Sequence, residues 1–258
     1  MIENNYENGR IINDDCLIAM DKLIENGVKV DCVIADIPYG IITNTCKWDI
    51  PIPFNCMWER LYKIKKDKST PIILFGKQPF TSALVMSNSK DFRYEIIWEK
   101  EKGTDFGNAN RKPLNIHENI SVFYEKQPNY TRIYDSGTPY KKINKKTKNV
   151  DESLTFKSNK EGMFINNGER TPTTVRRVSS VGSRGKKPLH PTQKPIQLLE
   201  WLVKSYSKEN DIILDFTAGS MSLAEACINT NRKFICIEKD KHYYEIGINR
   251  IDSCIIKQ

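Results

Sequence analysis

Residues 211–238 read DIILDFTAGSMSLAEACINTNRKFICIE, and this stretch decides the fold. An apolar, β-branched run ends on Asp215. Small residues follow at Thr217, Ala218, Gly219 and Ser220, then a helical pattern, then a second apolar run ending on Glu238. The order strand, tight turn, helix, strand, acid is a βαβ unit. Gly219 and its small neighbours let the backbone approach a ligand closely. The helix start favours negative or electron-rich groups, and an acid closing the second strand suits the two hydroxyls of a ribose. The glycine pattern is sparse, because Met221 stands where a second glycine is expected. A plain βαβ turn without a ligand is the alternative reading of this stretch taken alone.

Working outward, the same rhythm recurs. Val30–Ala35, Pro71–Phe75, Tyr94–Trp98 and Ile120–Tyr124 are short apolar runs that suit strands buried on both faces of a parallel sheet. Helical patterns lie between them and beyond, over Leu17–Asn26, Pro53–Lys65, Pro79–Asn88, Pro195–Tyr206, Ser220–Asn231 and Asp240–Arg250. Pro53, Pro79 and Pro195 suit first-turn positions, where a missing N–H costs nothing. The expected fold is α/β, a doubly wound Rossmann-like sheet. A chain of 258 residues can bury the core that such a sheet needs.

The rhythm fails between residues 127 and 187. Lys126–Lys187 carries 15 of the 40 Lys and Arg but only 5 of the 32 Asp and Glu, a local balance of +10. The chain as a whole is +8, so the remainder is −2. A basic insert on a near-neutral body is the footprint of polyanion binding, with a solvated lysine-rich loop as the bland alternative. The domain boundaries expected are therefore 1–126 with 188–258 for the α/β body and 127–187 for the insertion. There is no 18-residue apolar run, and the start MIENNYENGR lacks a basic region before an apolar stretch. A cytoplasmic protein with no membrane partner and no secretory signal is expected. Seven cysteines without a CxxC pair, and three histidines, suit reduced thiols and no metal site.

A second stretch, Asp31–Gly40 (DCVIADIPYG), ends a buried run on Asp36 and turns through Pro38 to Tyr39. Ligands of open parallel sheets sit beyond the carboxyl ends of the strands. There an acid, a proline-stiffened carbonyl at Ile37 and an aromatic face would hold a planar ring bearing an amino group. The amine donates to the carboxylate and the carbonyl, which stabilises the positive charge that grows as it attacks. A strand end with a surface turn is the alternative for this tetrapeptide alone.

Taken together, Asp36-Ile-Pro-Tyr39 followed by Asp215-Phe-Thr-Ala-Gly-Ser220 resembles the amino-group DNA methyltransferases. Their hallmarks are a (D/N/S)PP(Y/F) tetrapeptide and a DPFxGSGT-type S-adenosylmethionine loop. The tetrapeptide precedes the loop with a basic segment between, which is the order of the β class. Asn13-Asp-Asp-Cys16, Phe75-Gly-Lys-Gln-Pro-Phe80, His117-Glu-Asn-Ile120 and His190-Pro-Thr-Gln-Lys-Pro195 also resemble family segments. The likeness covers about residues 10–125 and 188–252.

The resemblance implies site-specific methylation of the N6 amine of adenine in double-stranded DNA, with S-adenosylmethionine as cofactor and base flipping. It implies catalytic roles for Asp36, Ile37, Pro38 and Tyr39. It implies cofactor contacts at Asp15, Cys16, Asp36, Thr192, Gln193, Lys194, Asp215, Phe216, Thr217, Ala218, Gly219, Ser220 and Glu238, with Asp15 at the adenine ring and Lys194 near the methionine carboxylate. The insertion corresponds to target recognition, with Lys141, Lys142, Lys145, Lys146, Arg176, Arg177 and Arg184 as DNA contacts. A homodimer and a separately encoded restriction nuclease are compatible partners. Two departures stand out. Ile37 replaces the first proline but keeps its carbonyl. Met221 replaces a glycine, and either narrows the cofactor loop or packs on the adjacent helix. N4-cytosine methylation, a DNA-binding relative impaired in catalysis, and a dinucleotide oxidoreductase are the alternatives.

Overall fold

The computed structural model describes residues 2–40, 49–144, 162–182 and 188–256. The chain divides into two compact units: residues 1–131 with 174–258, and Arg132–Thr173.

In the larger unit, β1 (Ile2–Tyr6) and β2 (Gly9–Asn13) form a hairpin before helix α1 (Cys16–Glu25). Strand β3 (Cys32–Ala35), helix α2 (Phe54–Ile64), strand β4 (Ile72–Gly76) and helix α3 (Phe80–Ser87) alternate next. Two long strands follow, β5 (Phe92–Thr104) and β6 (Asn115–Phe123). The smaller unit holds β7 (Asp135–Ser136), β8 (Tyr140–Asn144), β9 (Gly162–Asn166) and β10 (Glu169–Arg170). The chain re-enters the body at β11 (Val175–Arg177) and closes with α4 (Ile196–Tyr206), β12 (Ile212–Asp215), α5 (Ser222–Asn229), β13 (Lys233–Glu238) and α6 (Lys241–Ile255).

The main sheet has the order β1-β2-β13-β12-β3-β4-β6-β5-β11. Strands β2, β13, β12, β3 and β4 run parallel. Alternate residues of these strands feed two cores, because side chains leave a strand on opposite faces in turn. Ile34, Ile73 and Ile213 join Leu198, Leu202, Leu223 and Ile251 of α4, α5 and α6 on one face. Val33, Leu74 and Leu214 join Met20, Leu61 and Leu84 of α1, α2 and α3 on the other. Each such aliphatic side chain taken fully out of water contributes about 1.5–3 kcal/mol.

Three expectations need correction. The sheet is mixed: β6 runs antiparallel to both β4 and β5, although its apolar run looks like those of the parallel strands. Burial on both faces gives the same continuous apolar pattern whichever way a strand points. The second compact unit, Arg132–Thr173, lies within the expected segment 127–187. Residues on its carboxyl side return to the body, where β11 pairs parallel to β5 and Trp98 Nε1 donates to Val178 O at 2.8 Å. On its amino side the Thr131 amide donates to Ser205 O. Helix α5 begins at Ser222 and not at Ser220. Gly219 and Met221 both hold left-handed backbone, with φ of 52° and 60°, so the turn stays open for two more residues. The three prolines sit immediately before their helices, one position earlier than expected.

In the smaller unit β8 and β9 form an antiparallel ladder, and β7 pairs with β10. Lys141 and Lys142 are exposed on β8, on opposite faces of the ribbon. Lys145, Lys146, Arg184 and Trp48 lie outside the described residues.

Candidate active site

The chain after β3 crosses to β4, and the chain after β12 crosses the other way to β13. Between the carboxyl ends of these adjacent strands the connections diverge. That is the switch point where open α/β sheets hold ligands. A cavity of about 710 Å³ opens there, and both Asp36 and Gly219 line it. The two segments are joined by Thr217, whose hydroxyl donates to Asp36 O at 3.2 Å.

The cavity floor is built by the turn after β12. Asp215 caps that turn, accepting the Thr217 amide at 3.1 Å. Burial, reinforced by the charges of Asp36 and Glu238, pushes its carboxyl up to about 8. Glu238 accepts the Gly219 amide at 2.7 Å and the Asp240 amide at 2.8 Å, which ties the end of β13 to the turn. The ring of His190 lies 3.5 Å from where a Cβ on Gly219 would stand, so a methyl there would only touch the ring, and it is the left-handed backbone that favours glycine. Burial and the nearby Lys194 charge push His190 down to about 4, which keeps it neutral at pH 7.

Met221 does not narrow the loop. Its side chain is fully buried and points under α6, where a Cβ on Gly247 would sit 2.2 Å from Met221 Cγ. The missing side chain of Gly247 makes the room that Met221 fills. Ser220 is buried, with Arg250 Nη1 at 3.5 Å from its hydroxyl. Phe216 is buried at the cavity wall.

The other wall is the Asp36–Tyr39 turn. The Tyr39 hydroxyl donates to Asp36 Oδ1 at 2.5 Å, and the Tyr39 ring lies 5.2 Å from that of Phe80. Ile37 points inward with only 3% exposure, so its side chain anchors the turn in the α1–α3 core. Asp15 caps α1 by accepting the Leu17 amide, and Cys16 lies beside it on the same cavity. In the segment before α4, Thr192 Oγ1 meets His190 Nδ1 at 3.1 Å and Gln193 Oε1 accepts the Leu189 amide.

Lys194 lines the same cavity. Its ammonium is turned to Asp36 Oδ2 at 2.5 Å and to Glu118 Oε2 at 3.2 Å, and its side chain is 7% exposed. A buried ammonium needs anions close by, and two carboxylates supply them. Burial would lower its pKa, but Asp36 and Glu118 hold it above the ordinary lysine value. Burial raises Asp36 despite Lys194. The Arg176 guanidinium lies over the Trp201 ring at 4.5 Å. Arg177 is exposed and pairs with Glu99 at 2.9 Å.

Three residues of the site carried no assignment from sequence. Asp49 accepts the amides of Tyr39 and Gly40, both at 2.9 Å, and so sets the turn. Tyr243 packs edge-on against His190 at 4.1 Å. Glu118 faces Lys194. Glu118 lies in the HENI segment, so a signal existed for it, whereas Asp49 and Tyr243 sit in ordinary loop and helix sequence.

Comparison with known proteins agrees with this geometry. The DNA methylase family profile matches residues 30–249. The chain belongs to the DNA methylase family. It is an amino-group DNA methyltransferase of restriction–modification type. Type II methyltransferase M1.MboII of Moraxella bovis is 26% identical over 92% of this chain and 94% of that protein. DNA adenine methyltransferase YhdJ of Escherichia coli is 25% identical over 94% of this chain and 82% of that protein. The M1.HpyAVI–SAM complex shares the fold, with a TM-score of 0.63 and 20% identity over 94% of this chain and 98% of that chain. PvuII DNA methyltransferase, cytosine-N4-specific, has a TM-score of 0.64 and 12% identity over 98% of this chain and 93% of that one. The methyl donor of this family is S-adenosylmethionine.

The cavity suits that donor. Buried Asp215 and partly buried Glu238 carry no lysine or arginine partner among the described ion pairs, so both carboxyls are open to the cationic or hydroxyl groups of a ligand.

Proposed function

We propose that this methyltransferase modifies the N6 amine of adenine at specific sites in double-stranded DNA, in the cytoplasm. The observation that carries this reading is the meeting of Asp36 and Tyr39 with the Asp215–Gly219 turn on one cavity. The presence of an aspartate at position 36, and the likeness to an enzyme named as a DNA adenine methyltransferase, support adenine over cytosine.

Asp215, Gly219, Ser220, Glu238 and His190 would hold the donor. Bound there, S-adenosylmethionine supplies an electrophilic methyl group. A base in the stack cannot reach this cavity, so the target is flipped out. Tyr39 offers a ring face for it, and Asp36 with the Ile37 carbonyl accepts the protons of its amine. These acceptors favour a tetrahedral nitrogen and stabilise its growing positive charge. Much of the acceleration comes from holding donor and acceptor in line. The Arg132–Thr173 unit would grip DNA through Lys141 and Lys142.

Mass analysis of nucleosides from DNA treated with the enzyme tests the reading. N6-methyladenine is expected, and 4-methylcytosine alone would overturn it. Asp36→Ala should abolish transfer and leave cofactor affinity near that of the parent.

A further inference from the structure

Each oxygen of Asp36 already accepts a hydrogen bond in the free protein. Oδ1 accepts the Tyr39 hydroxyl and Oδ2 accepts Lys194, each at 2.5 Å. An incoming amine therefore meets an acceptor already held by an ammonium. The second carboxylate beside that ammonium is built differently. Glu118 Oε1 is anchored by Lys100, whose own ammonium lies over the Trp98 ring at 4.8 Å. Glu118 Oε2 is buried in the same cluster. Lys194 Nζ stands 3.2 Å from it, farther than its 2.5 Å from Asp36 Oδ2.

We propose that Glu118 is a positioning residue: its Oε2 is the second seat for the Lys194 ammonium, which frees Asp36 Oδ2 for the target amine. The move is short, since Nζ already stands between the two carboxylates. It takes no charge out of the buried cluster, in which Asp36 and Glu118 balance Lys194 and Lys100. Without Glu118, vacating Asp36 would strand a buried ammonium, so Lys194 would stay. The inference rests on the reading that Asp36 accepts the amine, and it holds for adenine and cytosine alike.

The test is the single-turnover methyl-transfer rate on DNA across pH, with cofactor affinity measured by calorimetry. The groups facing Asp36 are the Tyr39 hydroxyl, Lys194, Glu118 and, from the β12 end, Asp215, with Lys100 behind Glu118. Glu118 raises Asp36 and Lys194 lowers it. Glu118→Gln should bind cofactor like the parent and reduce the maximal rate by at least about tenfold. Its acid limb should move to lower pH. Lys194→Met should move that limb to higher pH. Glu118→Asp keeps the charge but draws the oxygen back, so its acid limb should stay parental while its rate remains low. A parental maximal rate in Glu118→Gln or Glu118→Asp overturns the proposal. So does a slow Glu118→Gln enzyme whose acid limb has not moved, because a merely structural loss would look like that. An active Asp36→Ala enzyme would instead defeat the reading beneath it.

Discussion

Cofactor affinity should depend steeply on pH, and Asp215 should be the reason. Its carboxyl, pushed up to about 8 by burial, is mostly protonated at pH 7 in the free protein. A cationic ligand needs it ionised. Removing the proton before binding costs on the order of 1 kcal/mol at pH 7, roughly twice that at pH 6 and almost nothing at pH 9. The dissociation constant should therefore drop roughly tenfold from pH 6 to 7 and level off above about 8.5. At pH 7, binding should release about 0.9 proton from this group, measurable by calorimetry in buffers of different ionisation enthalpy. Asp215→Asn should bind more weakly at high pH and lose about one proton of this linkage. The donor's own amino group cancels in the comparison of parent and variant. The same carboxyl acts on stability with a fixed sign. The folded protein holds this proton more tightly than the unfolded chain, so stability falls as pH rises from the ordinary value of 3.8 through about 8. An affinity in the parent that is flat between pH 6 and 8, or a variant with an unchanged slope, would refute the reasoning.

Two more outcomes follow from packing and from surface charge. Gly247→Ala should cost about 1–3 kcal/mol in chemical denaturation, because its methyl would overlap Met221 Cγ. In a Met221→Ala background the added cost should largely vanish, and simple additivity would show that the two do not share one space. Lys141→Ala and Lys142→Ala should each flatten the salt dependence of DNA binding by about one unit of slope. Arg176→Ala should leave that slope alone and lower the melting temperature, since its guanidinium is spent on Trp201.

The parts legible in sequence share a physical reason. Strand, turn, helix and acid are local patterns, so residues 211–238 announce the βαβ unit and both of its acids. The Asp36–Tyr39 turn is legible for the same reason, because proline and a buried run mark it within a few residues. The hairpin of β1 and β2 was not read. Its first strand, IENNY, is polar and lies at the sheet edge, where one row of backbone groups needs no partner. The direction of β6 was not legible either, since burial alone shapes its composition.

Only the tertiary structure decided which partners the charged side chains take. Lys194 and Asp36 are 158 positions apart, yet the ammonium of one sits on the carboxylate of the other. A lysine in a proline-bounded turn looks free to meet a ligand's carboxylate. Once β3, β6 and the segment before α4 are brought together, Asp36 and Glu118 stand within 3.2 Å of the Lys194 ammonium. Local sequence determined which groups end the strands. Long-range packing determined what each group faces, because a charge removed from water must be matched by whatever the fold places beside it.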